Sequence, residues 1–185
     1  MDHREQVLDA AAALFYERGI QAVGMAEIRT AACVSLKRLY QCFASKDELV
    51  AAYLRRRDER WRGELAAHLA AHPDDGALAV FDWLATWFAD PGFRGCAFIN
   101  SFGELGATSA AVRAAAREHK AALREQLLDL LTGEERQERA TQLLLLVDGA
   151  ITTAAITGDP DSAASARAAA GALLDRPGRR ASCQL

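Results

Sequence analysis

The chain has 185 residues, 51% hydrophobic and 25% charged, a balance that fits a soluble globular protein and excludes a largely disordered one. Ala and Leu supply most of the apolar side chains, prolines number only 4, and β-branched residues never alternate, so the composition predicts an all-α fold. The formal net charge of −3 hides an asymmetry: residues 1–57 carry nine Lys/Arg against seven Asp/Glu and the remainder thirteen against eighteen, which makes the N-terminal part the anion-binding candidate.

Val7, Leu8, Ala11, Leu14 and Phe15 recur at three- and four-residue steps, which predicts a first helix ending at Gly19 in a left-handed, Schellman-type position. Two short helices are expected next, from about Met25 to Ala32 with Ile28 inward and from about Leu36 to Cys42 with Leu39 and Phe43 inward. Ser45 and Glu48 form a capping box that opens a long fourth helix reaching about Ala71, where "HPDDG" breaks it. A fifth helix is expected from about Asp75 to Ala89, a sixth from Cys96 to about Gly106, and a seventh from Ala110 to Leu131. A second capping box, Thr132 with Glu135, opens the eighth. The ninth takes Asp159 as its cap with Pro160 in the first turn, and the stretch after Leu174 reads as a frayed tail.

No apolar stretch approaches the roughly 18 residues that cross a bilayer, and "MDHREQ" lacks the cationic start of a signal peptide, so a cytoplasmic protein without a membrane partner is expected. Cys33, Cys42, Cys96 and Cys183 are scattered without a CxxC or a His at ligand spacing. Reduced thiols are expected, with neither a metal nor another cofactor.

The stretch "SLKRLYQCFASKDEL", residues 35–49, packs two cations and two aromatics into one short helix and then starts another. Two short helices joined by three or four residues and braced by a preceding amphipathic helix have the dimensions of a helix-turn-helix, whose second helix enters the major groove. With Leu39 and Phe43 inward, Ser35, Lys37, Arg38 and Gln41 point outward toward base edges or phosphates, and Tyr40 offers its hydroxyl to a phosphate while its ring stays packed. Lys46 sits in the first turn of helix four, where the helix dipole and free amides already favour a phosphate. The run "RRRDER", Arg55 to Arg60, begins about 14 Å further along that helix and reads as a solvated face.

"AAALFYERG", "EIRTAACVS" and "LYQCFASKDELVAAYL" resemble the DNA-binding segment of the TetR family of bacterial transcriptional repressors, over about residues 5–54. The ordered Leu-Tyr-x-x-Phe-x-Ser-Lys-x-x-Leu pattern from Leu39 to Leu49 carries the resemblance. It implies nine or ten helices, a homodimer on a double-stranded operator with one half-site per subunit, and a small-molecule effector bound in the C-terminal region. On this basis residues 1–45 form the helix-turn-helix domain, continued to about residue 54, residues 46–175 the ligand-binding and dimerisation domain, and residues 176–185 a flexible tail. Three departures from the family pattern stand out. Cys33 replaces the usual turn glycine and has to take a left-handed conformation at some cost. Gly24 replaces the usual Ser or Thr cap of helix two, and Cys42 stands where many members carry a His or Tyr phosphate contact.

In the remainder, Trp83, Trp87, Phe88, Phe98 and Phe102, with Asn100, Glu104 and His119 as polar groups, are candidates to line an apolar effector pocket; the alternative is that these aromatics simply fill the core. Cys96 opens helix six, where the dipole favours a thiolate, so an oxidant- or electrophile-sensing thiol is an alternative to small-molecule binding. A small buried residue at this position is the simpler reading. "QLLLLVDGAITTAAI" is apolar nearly all round, and helices eight and nine are therefore expected to form a four-helix interface with a second copy. The reading is a ligand-responsive repressor released from a palindromic operator by its effector, and not an enzyme, since no HExxH, P-loop, GxSxG or Cys/His pair occurs. A helical enzyme without a recognised motif, or a scaffold that binds only protein, remain the alternatives.

Overall fold

The computed structural model describes residues 2–176; Met1 and residues 177–185, with Cys183 and nearly all of the expected tail, lie outside the described residues. Among those described there are nine α-helices and no strand: α1 (His3–Arg18), α2 (Met25–Ala31), α3 (Leu36–Cys42), α4 (Lys46–Ala71), α5 (Ala79–Phe88), α6 (Ala97–Leu105), α7 (Ala110–Asp129), α8 (Arg136–Thr157) and α9 (Ser162–Leu174). A short 3-10 helix, Pro73–Leu78, precedes α5.

Where boundaries depart from expectation, a local hydrogen bond or dihedral explains it. Gly19 has φ +85° but an extended ψ of 156°, so it is not the left-handed Schellman residue expected. The Ile20 amide is held by the Glu104 carboxylate at 3.1 Å instead of by a carbonyl of α1. The fifth helix is split because Gly76, at φ 53° and ψ −135°, breaks the backbone inside the expected range. α7 stops at Asp129 since Leu130 and Leu131 donate to Leu127 and Leu128, tightening the last turn to 3-10 pitch. The second capping box does not form: Arg139 has captured the Glu135 carboxylate at 3.3 Å, and Glu135 caps α8 with no side-chain bond. α9 begins at Ser162 after a turn, although Asp159 still accepts from the Asp161 amide at 2.9 Å. The first capping box forms with a shift. The Glu48 amide donates to Ser45 Oγ at 3.1 Å, while its carboxylate accepts from Ala44 and not from Ser45.

One composition-based expectation is corrected. α8, at 22 residues and a mean hydropathy of 1.4 over its most apolar window, is long and apolar enough to cross a membrane by length and composition alone. Its buried residues, among them Leu143, Val147 and Ile151, face protein, and the helix packs on α5 and α9.

The chain divides into two compact units that are discontinuous in sequence: Met1–Glu64 with Arg94–Lys120, and Leu65–Phe93 with Ala121–Leu185. In the first, α1, α2 and α3 pack on one another around Val7, Phe15, Ile20, Ile28, Leu39 and Phe43, all buried. Further along this unit His119 is buried, stacked on Phe98 at 3.8 Å and edge-on to Trp61 at 5.6 Å. Its Nδ1 lies 2.6 Å from Asp58 Oδ1, and Arg62 grips the same carboxylate with three hydrogen bonds of 2.7–3.0 Å. Burial alone would raise the Asp58 pKa, but the hydrogen bonds from Arg62 and His119 outweigh it and hold the group below its ordinary value. In the second unit α9 packs against α5 and α8, and Trp83, Trp87, Phe88 and Phe93 form a ring cluster with centroids 4.9–6.1 Å apart.

Two predictions follow from these features. Cys33 has φ 51°, the one positive value among described non-glycine residues. Such a conformation costs a residue with a Cβ about 1 kcal/mol, so Cys33→Gly should raise stability by about that amount in urea unfolding. Asp58, with its folded pKa lowered, stabilises the native state above its unfolded pKa and loses that contribution as pH falls through the folded value. Asp58→Asn should therefore lie well below the parent in stability near pH 6, with the gap narrowing as pH falls through and below the ordinary carboxylate range; a gap independent of pH would contradict the assignment.

Candidate nucleic-acid interface

The surface of α3 is set by two residues that point away from it. Leu39 and Phe43 are fully buried, and because residues three and four apart share one face, the opposite face carries Ser35, Lys37, Arg38, Tyr40 and Gln41, all exposed. Ser35 also caps the helix, its Oγ accepting from the Arg38 amide at 3.2 Å. The Tyr40 ring is 48% exposed and not packed as expected, and Leu36 beside it is similarly open.

The electrostatics of this face differ from those of the neighbouring cations. Arg18 pairs with Glu27, Arg56 bridges Glu5 and Asp9, and Arg62 holds Asp58. Lys37 and Arg38 have no carboxylate partner among the described residues. Two adjacent uncompensated cations on a rigid helix leave a local positive potential that favours an anion such as a phosphate.

Two braces that sequence reasoning missed hold α3. Arg4, from the first turn of α1, donates to the Cys42 carbonyl at the end of α3 and lies 4.1 Å over the Phe43 ring. Lys46 is turned inward: its Nζ donates to the Ile20 carbonyl at 2.6 Å and lies 5.9 Å from the Phe15 ring. Its ammonium thus ties the start of α4 to the end of α1, a different placement from the outward phosphate contact expected of it. Neither Arg4 nor Lys46 signals its partner in the sequence, since each reaches across tens of residues.

The expected effector-pocket residues fall in both units. Trp83, Trp87 and Phe88 belong to the second and pack within its ring cluster. Phe98, Asn100, Phe102, Glu104 and His119 belong to the first. There Phe98 and His119 stack on each other and Phe102 is exposed. Asn100 and Glu104 lie on the wall of a cavity of about 320 Å³ whose other walls include Phe15, Tyr16, Tyr53, Arg94, Ala97 and Ser101. The Glu104 carboxylate accepts from the Ile20 and Gln21 amides at 3.1 and 2.7 Å, while Asn100 donates to the Arg94 carbonyl at 2.9 Å. Tyr16 spans the same wall, its hydroxyl donating to the Gly95 carbonyl and accepting from the Arg94 amide, both at 3.0 Å. Burial pushes the Tyr16 pKa up. Cys96 caps α6 and is 6% exposed, with Lys120 Nζ 4.0 Å from its sulfur. No group of three His, Cys, Asp or Glu able to hold a metal occurs among the described residues.

Residues 7–53 match the family described as bacterial regulatory proteins, tetR family. Among solved structures, a TetR-family transcriptional regulator from Streptomyces coelicolor is 29% identical with a TM-score of 0.84, the match covering 93% of this chain and 88% of that one. A putative TetR transcriptional regulator from Streptomyces avermitilis is 30% identical over 96% of this chain and 100% of that one, with a TM-score of 0.76. The reduced form of NemR from E. coli shares the fold, with a TM-score of 0.83 at 23% identity, covering 96% of this chain and 100% of NemR. A search of curated proteins finds no match. With a three-helix reading module on which two cations stand unpaired, and with relatives aligned over nearly its whole length, this chain belongs to the TetR family of DNA-binding transcriptional regulators.

Proposed function

We propose that the protein is a homodimeric, effector-responsive repressor in which α3 of each subunit reads one half of a palindromic operator in the cytoplasm. The observation that carries this reading is the exposed, uncompensated pair Lys37 and Arg38 on a helix fixed by two buried side chains. Ser35, Tyr40 and Gln41 add hydrogen-bonding groups to the same face, suited to base edges and phosphate oxygens. At the start of the 26-residue α4, the first amides and the dipole supply a phosphate site, with Lys46 acting by holding α4 against α1.

The dimer reading rests on α8. Leu145 and Ile156 are 66% and 79% exposed, and with Gly149 and Thr152 they form one stripe at helical spacing, also exposed. Large apolar side chains standing free on a helix of this hydropathy are unfavourable in water. A second copy of the same stripe, with α9 alongside, covers them in a four-helix contact related by twofold symmetry.

For the effector we favour a small molecule over thiol chemistry. At 6% exposure Cys96 lacks the access that a reactive thiol requires, whereas Asn100 and Glu104 border an open cavity.

Operator fragments are to be selected from random duplex with the wild-type protein and titrated by anisotropy. Lys37→Ala/Arg38→Ala should then weaken binding by at least about tenfold and flatten its salt dependence, because two phosphate-neutralising cations are removed; unchanged affinity would count against α3 as the reader. Leu145→Lys/Ile156→Lys should shift the mass measured by light scattering from dimer to monomer, and a persistent dimer would place the interface elsewhere.

A further inference from the structure

The cavity between α1, α4 and α6 holds two hydroxyls that nothing in the protein uses. Tyr53 and Ser101 are each only 3% exposed and both line it, yet no described residue hydrogen-bonds the hydroxyl of either. Each hydroxyl is the part of its otherwise buried side chain that opens onto the cavity, so it is free to donate to an occupant. The rest of the wall is differently disposed. The Tyr16 hydroxyl, the Asn100 amide and the Glu104 carboxylate are already engaged with backbone groups, and the Phe15 and Tyr53 rings meet edge to face at 5.6 Å.

We propose that this cavity is a binding site for a single-ring aromatic carbonyl compound, a ketone or an amide, whose oxygen accepts from the Tyr53 and Ser101 hydroxyls. About 320 Å³ lies at the small end of the range for small-molecule sites, which suits one ring with a short substituent. The aromatic faces of Phe15, Tyr16 and Tyr53 and the methyl of Ala97 offer apolar contact to the ring. A carbonyl oxygen has two lone pairs, one for each hydroxyl. Burial pushes the Tyr53 pKa up, so its hydroxyl remains protonated and available as a donor. Two carboxylates on the wall, Glu17 and Glu104, outnumber its one cation, Arg94, which makes the neutral carbonyl a better fit than a carboxylate ligand. The wall includes Gly19, next to the Ile20 amide that Glu104 holds and the Ile20 carbonyl that Lys46 holds. An occupant therefore bears on the joint between α1 and the reading helices. As an effector site the cavity rests on the repressor reading; as a binding site it stands by itself.

The test is calorimetry on the full chain without DNA, using acetophenone and benzamide as probes and ethylbenzene as the ring without an acceptor. At least one carbonyl probe should bind wild type, and Tyr53→Phe/Ser101→Ala should weaken it about tenfold while leaving ethylbenzene unaffected. Because the two hydroxyls make no hydrogen bond within the protein, the melting temperature of the double variant should match or exceed that of wild type. If that variant fails to fold, Tyr53→Phe alone, which keeps the ring contact to Phe15, should lose about threefold. Failure of both carbonyl probes to bind at millimolar concentration, or equal affinity in wild type and variant, overturns the proposal. Duplex titrations run separately: a protein that binds a carbonyl probe but no duplex retains the site and loses the repressor reading, and one that binds duplex but neither probe does the reverse.

Discussion

The burial of Leu39 and Phe43 is the constraint on which the exposed face of α3 depends. A seven-residue helix has too few hydrogen bonds to be stable in isolation, so α3 exists because these two side chains are removed from water against α1 and α2. Their burial fixes rotation as well as existence. With them inward, Lys37, Arg38, Tyr40 and Gln41 can only face out, and the Arg4 guanidinium over the Phe43 ring closes the open side of the anchor. Exchanging Leu39 with Lys37 would leave the composition unchanged and destroy both helix and surface.

The same unit shows where local cost is accepted for geometry. Cys33 takes a positive φ in the turn between α2 and α3 that a glycine would adopt without strain, and the Val34 amide, bonded to the Arg29 carbonyl at 3.2 Å, closes that turn. Beyond α3, backbone groups at the end of α1 are shared out: the Ile20 amide goes to Glu104 and the Ile20 carbonyl to Lys46. One residue thus joins α1, α4 and α6 through hydrogen bonds that involve a charged partner on each side, the stronger kind. The path from α6 to the start of α4 runs through two hydrogen bonds and the backbone of one residue.

Much of this was legible in the sequence because it is local. The limits of α3 and α4 follow from apolar spacing and from Ser45 with Glu48, all within a few residues of where they act, while the strain at Cys33 was implied by the resemblance to a family that carries glycine there. What escaped prediction is set by distance along the chain. Arg4 reaching Cys42, Glu104 reaching Ile20 and His119 reaching Asp58 join residues 38 to 84 apart, and no periodicity marks such pairs. Glu135 shows the local rule failing through competition, since Arg139 one turn on takes the carboxylate that a capping box needs. Nothing in the sequence links Tyr53 to Ser101, and only the cavity they both line brings them together. The apolar run of α8 was legible as well; which of its residues stand exposed was not, and the structure puts Leu145 and Ile156 there.

Hydrogen exchange followed by mass spectrometry, with and without a selected duplex at low salt, tests the central claim most directly. The account predicts that slowed exchange appears in peptides covering residues 35–48 and leaves α8 and α9 unchanged from the free protein. Protection that falls on α8 and α9 or on the aromatic cluster of the second unit, with residues 35–48 exchanging as before, would contradict it.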